Sequence, residues 1–136
     1  MCNDVFMATQ TAPGGECAGC DPSKPSLAAR ELLTEAQAGE LRGMFKVLAS
    51  ETRLRLLHAL ERAGELCVND LAAAVEMAPQ AVSNQLQRMA DRGIVVARRE
   101  GSSVIYRIAD PCVTALLELG LCQAEDARAA PEPDAA

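Results

Sequence analysis

The stretch Ala78-Pro79-Gln80-Ala81-Val82-Ser83-Asn84-Gln85-Leu86-Gln87-Arg88-Met89-Ala90-Asp91-Arg92-Gly93, with the run to Ile108 behind it, decides how this chain is read. Val82, Leu86 and Met89 recur at i, i+4 and i+7 and form one apolar stripe, which predicts a helix from Pro79 to Arg92. Pro79 suits a first helical turn and Gly93 a helix end. The other side carries Gln80, Ser83, Asn84, Gln87, Arg88 and Asp91, several of which both donate and accept hydrogen bonds, as the edges of bases in a major groove require. Ile94–Arg99 and Val104–Ile108 then read as two strands joined by Glu100-Gly101-Ser102-Ser103, with Arg98, Arg99 and Arg107 flanking the hairpin. A polar helix face alone reads first as a solvated surface. The basic hairpin directly after it turns the reading toward DNA.

At 136 residues the chain has room for one domain with tails, and no apolar run reaches the length of a membrane span. The first residues, Asn3, Asp4 and Thr9 among them, lack the charged and apolar regions of a secretory signal, so a cytoplasmic protein is expected. In a reducing compartment six cysteines point to metal ligands or redox-active thiols before a disulfide framework. The net charge of −6 speaks at first against a nucleic-acid partner. Its distribution does not. From Gln80 to Ile108 five arginines (Arg88, Arg92, Arg98, Arg99, Arg107) face only Asp91 and Glu100, whereas beyond Ala109 six acids stand against Arg128 alone.

Upstream, residues 1–26 contain Pro13, Gly14, Gly15, Gly19, Pro22 and Pro25 and read as a flexible arm. The arm holds Cys17-Ala18-Gly19-Cys20, a CxxC pair that supplies half of a tetrahedral metal site or a redox couple. Leu27 to Gln37 suggests a first helix, and Leu41, Phe45 and Leu48 mark the stripe of a second ending near Ala49. Ser50 is a suitable N-cap for the next, with Glu51 in its first turn and Leu54, Leu57 and Leu60 facing inward. His58, the single histidine, reads as a partly buried or surface residue with no metal role. After Gly64, a short helix with Val68, Leu71, Ala72 and Val75 inward pairs with the reading helix through a turn at Glu76 to Ala78, a helix-turn-helix. Cys67 begins that short helix, where backbone N–H groups favour a thiolate; a small core residue is the alternative.

Downstream, Asp110 caps and Pro111 opens a last helix, whose Val113, Leu116, Leu117 and Leu121 suit pairing with a second copy. Cys112 and Cys122 bracket it. Ten residues of helix separate them by about 15 Å, whereas two thiolates on one metal at ~2.3 Å per bond lie at most about 4.6 Å apart. One chain cannot bring both to one ion. After Ala124 the composition turns to Ala, Pro, Glu and Asp, and residues 124–136 read as a disordered acidic tail.

Met44 to Leu57, then Glu65 to Leu71, then Val82-Ser83-Asn84-Gln85-Leu86 with the hairpin, resemble the ArsR/SmtB family of metal-responsive winged-helix repressors over roughly Glu40 to Cys122. The family's third-helix motif commonly reads Glu-Leu-Cys-Val-Cys-Asp-Leu; Cys67 matches its first cysteine and Asn69 replaces its second. The resemblance implies a homodimer that binds operator DNA when metal-free and releases it on binding metal. It implies two candidate metal sites. Cys17 and Cys20 with Cys67 across the dimer would follow the cadmium and lead sensors, as a trigonal sulfur set. Asp110 and Cys112 with Cys122 of an antiparallel partner helix would follow the zinc sensors, with sulfur in place of imidazole. Either set favours soft ions, cadmium, lead, mercury or arsenite, over zinc as a structural ion.

The expectation is therefore a mostly α protein with a small β-hairpin: a winged helix-turn-helix over residues 27–123, dimeric through its terminal helices. It is read as a repressor of metal efflux or detoxification genes, with Cd(II) or Pb(II) first as inducer. Double-stranded operator DNA and a second copy are its partners; no membrane and no small organic substrate are expected. Arg98, Arg99 and Arg107 would hold phosphates while Gln80, Ser83, Asn84, Gln87 and Arg88 read bases. A repressor switched by oxidation or persulfide at the same cysteines is the alternative. A thiol enzyme finds no support, because the CxxC pair does not follow a strand and no histidine neighbours a cysteine.

Overall fold

The computed structural model describes residues 21–129. Five helices and a three-stranded sheet follow one another as α1 (Glu35–Leu48), α2 (Glu51–Ala63), β1 (Leu66–Cys67), α3 (Val68–Val75), α4 (Pro79–Asp91), β2 (Val95–Glu100), β3 (Ser103–Ile108) and α5 (Pro111–Ala129). The run from Leu27 to Gln37 does not make a helix of its own. Leu27–Ala29 form one 3-10 turn, and α1 starts only where Thr34 and Gln37 close a reciprocal capping box, at 3.1 and 3.0 Å. Leu27 and Leu32 lie exposed, so nothing among the described residues rewards helix there.

Ser50 caps α2 by accepting from Arg53 N at 3.3 Å, and Gly64 ends it. The inward residues of α2 are Leu56, Leu57 and Leu60; Leu54, expected in the core, is exposed. The apolar stripe of α4 is as expected, with Val82, Leu86 and Met89 fully buried against Leu57, Leu60, Leu71 and Val75 in one cluster. No side-chain nitrogen or oxygen among the described residues is buried without a partner.

The hairpin pairs Val95 with Ile108 through to Glu100 with Ser103, leaving a two-residue loop whose Gly101 has φ 63°, at the position where type II′ hairpins place glycine. β1 adds to its free edge and gives the antiparallel order β1-β3-β2, with Leu66 opposite Tyr106 and Cys67 opposite Ile105. Two residues are too few to show a period, so this strand is not legible in the sequence. α5 continues through Ala129, five residues beyond the Ala124 at which composition sets the start of a tail.

The turn between α3 and α4 holds Glu76 with φ 57°, the left-handed region. A side chain there costs about 1–2 kcal/mol, and glycine, with its larger unfolded-state entropy, recovers part of it. Glu76→Gly is therefore expected to stabilise the protein by about 0.5–1 kcal/mol in urea titration. A lower midpoint in urea would show that the exposed Glu76 side chain makes up for its strain.

Candidate nucleic-acid interface and thiol positions

Because the stripe of α4 is buried, the opposite face is presented outward. Gln80, Asn84, Gln87 and Arg88 are exposed and Ser83 half-buried. Two bonds, each spanning one helical turn, hold the amides along this face: Gln80 Nε2 donates to Asn84 Oδ1 at 3.2 Å, and Gln87 Nε2 to Asp91 Oδ1 at 3.1 Å. Gln85, to which the sequence alone assigns no role, accepts from Arg53 Nε at 2.8 Å and ties α4 to α2. Only the tertiary fold brings that pair together.

The wing's three arginines are not equivalent. Strand alternation and register put Arg98 and Arg107 on the sheet face of Cys67 and Ile105, and Arg99 on the opposite face, beyond the core. Arg107 and Arg99 are exposed and make no ion pair among the described residues, whereas Arg98 pairs with Glu100 at 2.6 Å and with Glu65. Those two carboxylates, Glu100 first, raise the guanidinium above its ordinary pKa and already occupy two of its nitrogens. Arg98 therefore bridges the wing to the segment before β1, a role the sequence could not show because Glu65 is 33 residues away.

Among the described residues, Cys67 and Cys122 carry free thiols. Cys67 lies half-buried at the junction of β1 and α3, where it is the N-cap residue of α3. Asp110 accepts from Cys112 N at 2.9 Å, the capping role expected of it, and so starts α5 with Cys112 half-buried in its first turn. Cys122 is exposed, within α5 and not at its end, and its Sγ donates to Asp126 Oδ2 at 3.9 Å. Cys17 and Cys20 lie outside the described residues. Among the described residues no three of His, Cys, Asp and Glu gather into a metal site within one chain, and no helix is long and apolar enough to cross a membrane. His58 is exposed on α2.

A helix-turn-helix core that presents a polar helix face beside a hairpin wing is a winged-helix DNA-binding domain. Residues 50–96 match the model of the bacterial regulatory protein, arsR family. The chain is 44% identical over 80 residues to the transcriptional repressor SmtB homolog of Synechocystis, a match spanning 59% of this chain and 60% of that protein. It is 32% identical over 93 residues to the cadmium resistance transcriptional regulatory protein CadC of Listeria innocua, 68% of this chain and 78% of the relative. Among solved structures, the AntR antimony-specific transcriptional repressor superposes with a TM-score of 0.70 at 62% identity, covering 82% of this chain and all of that one. The chain belongs to the ArsR family: it is a DNA-binding transcriptional regulator and not an enzyme.

Proposed function

We propose that this protein is a homodimeric, metal-responsive repressor that leaves its operator when a soft thiophilic ion binds between the two copies of α5. The observation that carries the reading is the placement of thiols on α5. Cys112 and Cys122 stand on one continuous helix, too far apart for one ion, while Leu119 and Leu121 on the same helix are exposed, at 66% and 57%. An antiparallel copy of α5 would cover those leucines. It would also set Cys112 of each chain near Cys122 of the other, with Asp110 close by.

Sulfur donors favour soft ions. The sequence by itself puts Cd(II) and Pb(II) first; likeness to an antimony-specific repressor at 62% identity supports moving trivalent antimony and arsenic ahead of them, with mercury a further fit for such donors. Cys67 with Cys17 and Cys20 of the partner subunit remains the second candidate set. Gln80, Ser83, Asn84, Gln87 and Arg88 would read bases, with Arg99 and Arg107 on phosphates; the ion pairs of Arg98 make it the weakest contributor there. Metal acts by favouring a dimer arrangement whose two reading helices no longer match successive grooves. Such a repressor works beside the genome, in the cytoplasm.

The test is DNA release by the reduced protein, titrated with Sb(III), As(III), Cd(II), Pb(II), Hg(II) and Zn(II) on the promoter fragment preceding its gene. Release by Sb(III) or As(III) at one ion per cysteine pair, with none by Zn(II), is the expected result. Release by peroxide or persulfide under chelation, with no metal active, would replace the metal reading with a thiol switch.

A further inference from the structure

On one flank of α4 lies a basic notch, separate from the wing, that shares only Arg88 with the base-reading residues. Gly43, Lys46 and Val47 of α1, Arg53 of α2, and Arg88, Asp91 and Arg92 around the end of α4 line a cleft of about 600 Å³. Four cations meet one acid there, and Asp91 already accepts a bond from Gln87. The described ion pairs all belong to Arg98, so none of these four has a carboxylate at salt-bridge distance.

One of the cations, Arg53, is held in position by two bonds. Arg53 donates through Nε to Gln85 Oε1 at 2.8 Å and through Nη1 to the Val47 carbonyl at 3.0 Å. Glycine inside a helix costs up to ~1 kcal/mol relative to alanine, yet Gly43 stands in the middle of α1. The Arg92 guanidinium rests across the helix in the space that Gly43 leaves, where a Cβ would push it aside. Gathered like charges repel one another and are stabilised by an anion set between them.

We propose that this notch seats the DNA sugar-phosphate backbone beside the groove that α4 reads, as a phosphate site separate from the wing. The inference rests on the DNA-binding reading and says where its affinity comes from. Arg88 connects the two surfaces, one helical turn past Asn84 on the same helix, and the Arg53–Gln85 bond fixes the notch to α4. The cleft exceeds the size of one small ion and suits a length of strand. A protein of net charge −6 that binds DNA must concentrate its positive charge, and with Arg98 neutralised in the wing this is where it does so.

The test is equilibrium binding of the reduced, metal-free, full-length protein to its promoter fragment and to a mixed-sequence duplex over a range of salt. Removing one cation from a phosphate lowers the slope of log K against log salt by about 0.9. Lys46→Gln with Arg92→Gln is expected to lower it by about 1–2 and to weaken both duplexes alike, whereas Arg62→Gln, on the far end of α2, leaves the slope in place. Lys46→Gln alone, at an exposed position, is expected to lower it by about 1, should the double variant fold poorly. An unchanged slope, or a loss confined to the promoter fragment, overturns the phosphate site. Failure of the wild-type protein to bind either duplex brings down the DNA-binding reading itself, and the notch with it.

Discussion

A mixed dimer of one Cys112→Ser chain and one Cys122→Ser chain is expected to bind half the metal of the wild-type dimer, whereas the homodimer of either variant binds none at α5. The expectation follows from helix geometry. Within a chain, ten helical residues hold the two sulfurs about 15 Å apart, so each ion must draw one thiolate from each subunit. In the mixed dimer Cys112 of the second chain still meets Cys122 of the first, while the other site has two serines. Either homodimer should lose release of DNA by Sb(III) altogether and keep its metal-free affinity within about threefold, a change below 1 kcal/mol. Co-expression with two different tags, followed by metal analysis and fluorescence anisotropy on the promoter fragment, reads both quantities. Full metal response in both homodimers would move the sensing site to Cys67 and the N-terminal pair.

Leu86→Ala is expected to destabilise the protein by about 2–5 kcal/mol, a large part of the ~5–15 kcal/mol typical of a whole domain. Leu86 is fully buried on α4 between Val82 and Met89, where both the reduced burial and the cavity left behind count against the variant. The exposed Asn84, two residues away, supplies the contrast: Asn84→Ala should change stability by no more than about 0.5 kcal/mol while relaxing the preference for the promoter over mixed-sequence DNA. Urea titration at fixed protein concentration separates the two variants. A midpoint for Leu86→Ala near that of the wild type would mean that α4 is held by something other than its apolar stripe.

The winged helix is legible because its signals are local. The spacing of Val82, Leu86 and Met89, the glycine in the wing's turn and the caps Ser50 and Asp110 each act within a few residues, and the structure keeps every one of them. The same locality explains the failures. Leu27 to Gln37 has helix-forming composition, but Leu27 and Leu32 find no apolar cover among the described residues, and Thr34 starts the helix later. Leu54 and Leu56 are both apolar on one helix, and only the direction from which α3, β3 and α5 approach decides which is covered.

By itself the sequence determined the element types, the face that α4 turns outward and the segregation of charge along the chain. Tertiary structure alone decided the third strand, the capture of Arg98 by Glu65, the position of Cys122 inside α5, and the meeting of Gly43, Lys46, Arg53 and Arg92 in one notch. The physical reason is range. Periodicity and capping are interactions between near neighbours, whereas a salt bridge or a charged cleft depends on distances between residues that the backbone brings together only after the core has closed.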